Sequence, residues 1–300
     1  MSSPVGEIMK VKIPGKIIFL DGRYIEADDA LFEALSPGVV KGKGVFETMR
    51  VYEGRIFALE DHWIRLKMGA QLLKMTLTYT PKEIEKRLYR IVELNRLTEA
   101  GIRLVVWQES QRRTRVSVVG RPLPPRKQQG PQGYRAVISE IRHKKTKYSH
   151  LKTIDYALLR EAFLKAKHRG YDEAILLNHR DELVEGSRTN IFFIKNDVLY
   201  TSPVKSGCLN GVTRRYVIRC AHQLGIPCKM KTAPLEALLT ADEAFLTNSI
   251  IEVMPLIVAG GQKIGGGKAG RVTGRLLAAY RELVRKSFAV SVCSVKGESV

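Results

Sequence analysis

The chain has 300 residues, with 50 Lys and Arg against 30 Asp and Glu, so its formal net charge is +20. Hydrophobic residues make up 44% and charged residues 27%, a balance that is typical of a globular protein and excludes a disordered chain. No stretch approaches the roughly 18 apolar residues of a membrane span, and the N-terminal residues lack the apolar centre of a secretory signal, so we expect a cytoplasmic protein.

Hairpins and helices are predicted in the first third of the chain. Apolar runs on both sides of Asp21-Gly22 and of Glu53-Gly54 indicate tight turns between strands. The predicted elements are, in chain order, hairpins at 17–25 and 45–59, helices at 60–75 and 82–94, and a strand at 103–107.

The composition changes between residues 120 and 133, where the segment GRPLPPRKQQGPQG holds four of the 12 prolines and no aromatic residue. Such a composition predicts an interdomain linker at 121–133. We therefore expect a smaller N-terminal domain at 1–120 and a larger domain at 134–286. A disordered tail is expected at 287–300.

Strands and helices are mixed after the linker. The predicted strands lie at 134–141, 173–177, 183–184, 191–194, 198–201, 244–246 and 253–258, and the predicted helices at 155–168, 212–224 and 272–284. Short antiparallel strands mixed with helices, in two unequal parts, predict an α+β fold.

Cysteine spacing and the distribution of charge argue against two kinds of ligand. The four cysteines are separated by 11, 7 and 64 residues, which fits no paired metal or redox motif, so we expect no metal site and a reducing compartment. The basic residues are spread along the chain, and the densest run, at 142–152, is only eleven residues long. We therefore expect a basic solvated surface and no nucleic-acid binding.

A glycine-rich segment at 265–270 has the pattern G-x-G-x-x-G and precedes a predicted helix. A dinucleotide site also needs a following strand with an acidic residue about 20 positions on. The predicted 272–284 helix occupies most of that stretch, so we predict a turn.

Residues 185–214 carry the pattern most typical of catalysis. Glu185 lies at a strand end beside a glycine, where a carboxylate can point into a cleft. Gly211, Val212 and Thr213 open a helix, and the free N–H groups of a helix N-terminus can hold a phosphate. A carboxylate and a phosphate cradle together suit a phosphorylated, cationic ring, and pyridoxal phosphate is such a molecule.

The same segment resembles the signature of the class IV pyridoxal-phosphate aminotransferases. It reads E-x-S-x-x-N-I-F from Glu185, L-x-T from Leu199 and L-x-G-V-x-R from Leu209. This fold-type IV group includes branched-chain aminotransferases, D-amino-acid aminotransferases and aminodeoxychorismate lyases. The resemblance extends over roughly residues 17–283, and it implies a two-domain α+β fold, pyridoxal 5′-phosphate between the domains, and a homodimer.

The resemblance also implies roles for individual residues. Lys152 would bond to the cofactor aldehyde, and basic residues at 142–147 would lower its pKa if they lie near it in space. Glu185 would face the pyridine nitrogen, and Tyr156 the ring oxygen, although Tyr156 is one residue nearer to the lysine than in branched-chain enzymes and helix packing is its alternative role. The phosphate would be held by Arg65 (otherwise a solvated helix arginine), by the backbone of Val212 and Thr213, and by Ser249.

More than one reaction fits this resemblance. Phe46 and Glu47 are similar to the aminotransferase form, whereas Thr48 aligns with a threonine linked to lyase chemistry as a proton donor; its alternative role is structural. Lys43 stands where an acidic residue is common. Glu109-Ser110 replaces the Arg-Gly pair that D-amino-acid enzymes and many lyases carry. This argues against a D-amino-acid enzyme unless an arginine at 112, 113 or 115 supplies the substrate clamp.

We expect a transaminase that moves an amino group between a branched-chain-like L-amino acid and a 2-oxo acid. The alternative is a 4-amino-4-deoxychorismate lyase, which releases 4-aminobenzoate and pyruvate, and a D-amino-acid or amine transaminase is a third reading. A basic nucleic-acid-binding protein without catalysis belongs to a different class, and the presence of both Lys152 and Glu185 argues against it.

Overall fold

The computed structural model describes residues 17–26, 43–110, 113–123 and 133–295. The strands are β1 Ile17–Leu20, β2 Arg23–Glu26, β3 Gly44–Tyr52, β4 Arg55–Ile56, β5 Ala100–Ser110, β6 Arg113–Pro122, β7 Tyr134–Ile138, β8 Glu173–Leu177, β9 Leu183–Gly186, β10 Asn190–Lys195, β11 Val198–Thr201, β12 Cys228–Met230, β13 Glu243–Asn248, β14 Glu252–Ala259 and β15 Gln262–Lys263. The helices are α1 Leu59–Leu72, α2 Pro81–Leu94, α3 Ala157–His168, α4 Val212–Gln223, α5 Leu235–Leu239 and α6 Arg271–Val295.

The N-terminal domain is an antiparallel sheet of six strands with helices α1 and α2 packed against it. The strand order is β2-β1-β6-β5-β3-β4. The two predicted hairpin turns are present, and Asp21, Gly22, Glu53 and Gly54 all have the positive φ that tight hairpin turns require. Apolar side chains of β3 and β5 pack against those of the two helices and form a single core.

Strand β6 is absent from the sequence prediction, and β5 is longer than the predicted 103–107. The two strands form a long hairpin in which Ala100 lies opposite Pro122 and Ser110 opposite Arg113. Buried and partly exposed residues roughly alternate along β6, so a period-two signal exists, but arginines and a terminal proline weaken it.

The C-terminal domain is built on a mixed sheet of nine strands. The order is β12-β11-β10-β13-β14-β7-β8-β9, with β15 added beside β14. Strand β7 runs parallel to both of its neighbours, β8 and β14. One apolar cluster involves helices α4 and α6, and another involves the short helix α5. The α+β two-domain prediction is therefore confirmed.

The predicted disordered tail at 287–300 is wrong for its first part. Helix α6 continues without a break to Val295. The Phe288 ring lies 6.4 Å from the Phe57 ring and 6.5 Å from the Tyr52 ring, centre to centre, and its carbonyl accepts a hydrogen bond from Arg55. The helix continues because its apolar face packs against the N-terminal domain, and a local pattern does not show this contact. Residues 296–300 lie outside the described ranges.

The predicted domain limits, 1–120 and 134–286, agree with the gap between β6 and β7, but they stay predictions. The first two residues of the predicted 121–133 linker belong to β6, and 124–132 lie outside the described part. Among the helices that the structure describes, none combines the length and the apolar character needed to cross a bilayer.

Candidate active site

A cavity of about 890 Å³ lies between the two domains. Its walls come from β3 and α1 of the N-terminal domain and, in the C-terminal domain, from the segment before α3, the β9–β10 turn, the start of α4 and the turn after β13. The structure places all eight predicted site residues on its wall: Thr48, Arg65, Lys152, Tyr156, Glu185, Val212, Thr213 and Ser249.

Lys152 lies in the connection between β7 and α3. This connection is hydrogen-bonded to the N-terminal domain. The Phe46 N–H donates to the Lys152 carbonyl at 2.9 Å, and Lys152 Nζ lies 4.5 Å from the centre of the Phe46 ring. Burial, followed by the positive charge of Arg65, lowers the pKa of Lys152 to about 8 against the opposing effect of Glu47. Arg103 is the other cation that lowers this pKa. The basic residues at 142–147, which were expected to lower it if they lay nearby, are not among its main causes.

Glu185 lies near the end of strand β9 and lines the same cavity. Its Oε2 accepts a hydrogen bond from the Leu209 N–H at 2.9 Å, while Oε1 has His143 Nε2 at 3.7 Å. Burial raises the pKa of Glu185 to about 8. The carboxyl is thus buried with one backbone donor, and a cation beside it would restore the charged form.

The turn that follows Glu185 is held by a second buried carboxyl, Glu173 on β8. Glu173 accepts hydrogen bonds from the Ser187 hydroxyl, from the Thr189 hydroxyl at 3.0 Å and from the Arg188 N–H at 3.2 Å. A Cβ at Gly186 would lie 2.1 Å from the Thr189 hydroxyl, so only glycine fits there. Glu173, which the sequence analysis missed, therefore fixes the backbone that carries Glu185.

The N-terminus of helix α4 opens onto the cavity. Gly211 is the N-cap residue; no side chain caps the helix and its first turn contains no acidic residue. The Arg65 Nη1 donates to the Asn210 carbonyl at 3.0 Å, which brings a guanidinium next to this helix start. Free N–H groups, a positive helix end and an arginine together make a site for a phosphate.

A buried ionic cluster orients Arg65. Its Nε and Nη2 donate to the two oxygens of Glu47 at 2.7 and 2.6 Å, and His62 Nδ1 lies 2.7 Å from the same carboxylate. Burial alone would raise the pKa of Glu47, but Arg65 and His62 outweigh it and lower that pKa to about 2. Of the five guanidinium N–H groups, these contacts and the Asn210 contact use three, so two are left for a ligand.

His62 is a second residue that the sequence analysis missed. Burial lowers its pKa, and its Nε2 lies 3.5 Å from the Ser249 hydroxyl. The available signal was its spacing: His62 precedes Arg65 by three residues on one helix, so both point to the same side.

Part of the cavity wall is aromatic and cationic. The Arg103 guanidinium lies 4.3 Å from the centre of the Phe46 ring and donates to the Tyr156 hydroxyl at 3.3 Å. Tyr156 is the N-cap residue of α3 and lies on the cavity wall, so its contacts are with Arg103 and Phe46. Thr48 lies opposite Arg103 in the β3–β5 pair. Arg103, which the sequence analysis missed, is a charge in an otherwise apolar run of β5.

Arg113 and Arg115, which follow β5, do not line the cavity. Glu109 pairs with Arg113 at 3.1 Å and with Arg115 at 2.6 Å, and Arg112 lies outside the described residues. The only arginines within the described part that line the cavity are Arg65, Arg103, Arg142, Arg160 and Arg188. The predicted substitutes for the missing Arg-Gly pair are therefore not found at Arg113 or Arg115.

The glycine-rich segment at 265–270 holds no nucleotide site. The Glu243 carboxylate accepts hydrogen bonds from the N–H groups of Val272 and Thr273 at 2.9 and 2.8 Å. A protein carboxylate thus occupies the helix start that a pyrophosphate would need, and the predicted turn is confirmed. Cys208, Cys220 and Cys228 are free thiols, and no group of three or more metal-binding side chains occurs in the described ranges.

Comparison with known proteins gives a match over most of the chain. The family model for amino-transferase class IV matches residues 44–257. A provisionally named branched-chain-amino-acid aminotransferase of Methanocaldococcus jannaschii is 31% identical over 280 residues, which cover 90% of this chain and 96% of that protein. The D-alanine aminotransferase of Staphylococcus epidermidis is 28% identical over 284 residues, covering 89% and 98%. The aminodeoxychorismate lyase of Bacillus subtilis is 31% identical over 288 residues, covering 90% and 95%.

A solved structure shows the same fold. The branched-chain amino acid aminotransferase of Thermobaculum terrenum, solved in its pyridoxal-phosphate form, superposes with a TM-score of 0.80 at 26% sequence identity, over 90% of this chain and 94% of that one.

Proposed function

The chain belongs to the amino-transferase class IV family of pyridoxal-phosphate enzymes, and from this we propose that it moves the amino group of a branched-chain-like L-amino acid to a 2-oxo acid. One observation carries the proposal: Lys152, with its pKa lowered to about 8, and the buried Glu185 line one cavity with an uncapped helix N-terminus. These are the amine, the acid and the phosphate site that this cofactor needs.

The donor set of the cavity fits the cofactor phosphate. Two Arg65 N–H groups and the first N–H groups of α4, at Val212 and Thr213, are available to its oxygens, and the Ser249 hydroxyl adds a donor. The Thr247 hydroxyl lies on the same wall, buried and without a hydrogen-bond partner among the residues described. An orphan hydroxyl beside a cationic cradle is a further reason to place an anion there.

Glu185 and Tyr156 fit the two sides of the cofactor ring. We assign Glu185 to the ring nitrogen, since a protonated nitrogen supplies the cation that this buried carboxyl lacks. We assign Tyr156 to the ring oxygen. When bound, pyridoxal phosphate supplies an aldehyde that takes up the amino group and a ring that withdraws electrons from the substrate α-carbon.

Lys152 is the group that we propose binds the aldehyde and then moves a proton at its Nζ. Both tasks need the neutral amine. Because the pKa lies near 8 and not near 10.5, the neutral fraction at pH 7 is higher by about two orders of magnitude. The Phe46 ring beside Nζ and the Ile250 side chain give the site an apolar wall suited to a branched side chain.

The lyase remains the second candidate, because Thr48 lines the cavity as a proton donor for the departing group would. The D-amino-acid reading is weaker: Glu109 stands in place of the arginine, and its carboxylate is already paired. We infer that Arg103, on the wall beside Tyr156, is the guanidinium available to a substrate carboxylate.

We further propose a homodimer in the cytoplasm. Ile64, Met68 and Leu72 are about half exposed, at 48, 56 and 51%, and lie on one face of α1, which supports contact with a second copy. The buried free thiols of Cys208 and Cys220 suit a reducing compartment. The absence of nucleic-acid binding stays a prediction.

The reaction is tested with the purified, cofactor-loaded protein and three substrates. We expect glutamate to form from L-leucine and 2-oxoglutarate, much less from D-alanine, and no 4-aminobenzoate from 4-amino-4-deoxychorismate. Thr48→Ala should then leave amino transfer within about threefold. Release of 4-aminobenzoate without amino transfer, abolished in Thr48→Ala, would establish the lyase instead.

A further inference from the structure

One face of strand β3 contacts the C-terminal domain along its whole length. Because side chains alternate along a strand, Phe46, Thr48, Arg50 and Tyr52 lie on the same side. The first two line the cavity. The last two reach past it to the turn between β13 and β14, which carries Ser249.

Arg50 forms a hydrogen bond with the backbone of that turn. Its Nη1 donates to the Ile250 carbonyl at 2.6 Å, and its Nη2 donates to Glu99 of the N-terminal domain at 3.0 Å. The guanidinium lies 4.7 Å from the centre of the Tyr52 ring. Its Nη1 also lies 3.8 Å from Glu252 Oε1. Arg50 is only 6% exposed, so this hydrogen bond between domains is shielded from water and its geometry is fixed by Glu99, Glu252 and the Tyr52 ring.

Tyr52, the next residue on the same face of β3, binds the end of the turn through Glu252. The Tyr52 hydroxyl donates to the Glu252 carboxylate at 2.8 Å, and Arg281 Nε donates to the other oxygen at 2.9 Å. Glu252 is buried and has a φ of 59°, a left-handed conformation that a side chain other than Gly adopts only when its surroundings impose it.

Inside the turn, the Asn248 side chain closes the backbone around Ser249. Its Oδ1 accepts hydrogen bonds from the N–H groups of Ile250 and Ile251, both at 2.9 Å. The turn is therefore a compact unit, and Arg50 attaches that unit to β3. A displacement of the Ile250 carbonyl displaces Ser249 with it.

We propose that Arg50 is a positioning residue for the cofactor phosphate: by holding the Ile250 carbonyl from the N-terminal domain, it sets the place of the Ser249 hydroxyl. The proposal rests on the phosphate contact assigned to Ser249 under the proposed function. Arg50 itself does not touch the ligand. Its loss should weaken binding of the phosphate group and leave the bond to Lys152 unaffected.

The test compares two ligands that differ only in the phosphate. Dissociation constants of pyridoxal phosphate and of pyridoxal are measured for the apoenzyme prepared from purified holoenzyme, with Arg50→Met, Ser249→Ala and Arg55→Met. Arg55 is the matched control, since it also joins the domains through a carbonyl, that of Phe288 at 3.0 Å. We expect Arg50→Met and Ser249→Ala each to weaken pyridoxal phosphate binding by about tenfold and pyridoxal by less than twofold, and Arg55→Met to change neither.

Arg50→Lys keeps a charge and a donor, and it replaces the methionine variant if that variant does not fold. We expect it to recover part of the lost preference for the phosphorylated ligand. If an Arg50 variant weakens both ligands equally, or neither, while Ser249→Ala affects only the phosphorylated one, the positioning role is wrong and the proposed function stands. If Ser249→Ala leaves the preference unchanged, the phosphate assignment itself fails, and the role of Arg50 fails with it.

Discussion

At Glu47 a carboxylate with no exposed surface lies between the Arg65 guanidinium and the His62 ring. Transfer of a lone carboxylate into such a place would raise its pKa, yet the pKa of Glu47 falls to about 2 because two basic partners touch it. The three side chains act as one unit, and that unit fixes the guanidinium that we assign to the cofactor phosphate.

Replacement of Glu47 by Gln should destabilise the protein. We expect the free energy of unfolding to fall by about 3 kcal/mol, since one partner of a buried pair is removed, and pyridoxal phosphate to bind more weakly. The folded-state pKa lies below the usual 4.5, so the contribution of Glu47 is complete above that pH and is lost as the pH falls towards about 2. Urea unfolding at several pH values measures the loss of stability and its pH dependence.

Glu109→Gln serves as the control for this change. Glu109 also pairs with arginines, at the partly exposed end of β5, where an ion pair contributes about 1 kcal/mol or less. Equal losses of unfolding free energy in the two variants would show that the buried cluster stabilises the protein no more than the partly exposed ion pairs of Glu109 do.

Among the elements, the start of helix α4 combines local and distant causes. The helix itself is predictable, because its apolar residues recur at helical spacing, and the predicted 212–224 differs from the observed end by one residue. Its placement is not predictable in that way. The Asn190 side chain donates to the Leu209 carbonyl at 2.8 Å, and this joins the helix start to the β9–β10 turn that follows Glu185.

Gly211→Ala should damage this junction. A Cβ there would lie 2.1 Å from Asn190 Oδ1 and 3.2 Å from Arg214 Cβ, so Asn190 must move and the cradle with it. Overpacking of this kind costs about 1–3 kcal/mol, and we expect pyridoxal phosphate to bind at least about tenfold more weakly in a titration followed by absorbance.

Gly274→Ala is the matched control for Gly211→Ala. A Cβ at Gly274, on α6, meets nothing within 4 Å, so the helix should gain about 0.5–1 kcal/mol of stability with unchanged cofactor affinity. If Gly211→Ala binds the cofactor as tightly as Gly274→Ala does, the α4 cradle is not the phosphate site.

The whole molecule is held together by contacts between its domains. Phe57 packs against Tyr216, Tyr280 and Phe288, with ring centres 5.0, 5.8 and 6.4 Å away. Asp61 on α1 accepts hydrogen bonds from two side chains of α4, Arg215 at 2.6 Å and Tyr216 at 2.7 Å. Because the cavity lies between the domains, these contacts determine its width.

Phe288→Ala should loosen the domains. Phe288 is half-buried against Phe57 and Tyr52, so removal of its ring should cost about 1–2 kcal/mol of unfolding free energy. Leu164→Ala, on an exposed position of α3, should change stability by less than about 0.5 kcal/mol. Equal denaturation midpoints for the two variants would contradict this role for the end of α6.

The sequence predicts those features that depend on residues close together in the chain, and it does not predict those that depend on distant ones. Turns, helices and the segment 185–214 depend on neighbours in the chain, and the family signature adds Lys152, Arg65 and Ser249. Arg50 carries no comparable local pattern. For His62 and Arg103 the local signals are only a helical spacing to Arg65 and a single charge in an apolar run, and neither specifies a role. The contact of Arg50 with Ile250 spans 200 positions, so its role becomes visible only when β3 lies against the β13–β14 turn.

Lys152 is proposed to carry the cofactor in this cavity, and chemical trapping of the adduct identifies the lysine that does so. The holoenzyme is reduced with borohydride and digested, and the peptide that bears the phosphopyridoxyl group is located by mass spectrometry, with Lys152→Ala and Lys43→Ala alongside. Lys43 also lines the cavity and is the matched control. We predict a label on Lys152 that is lost in Lys152→Ala and kept in Lys43→Ala. A label on Lys43, or an undiminished label in Lys152→Ala, would show that another residue carries the cofactor.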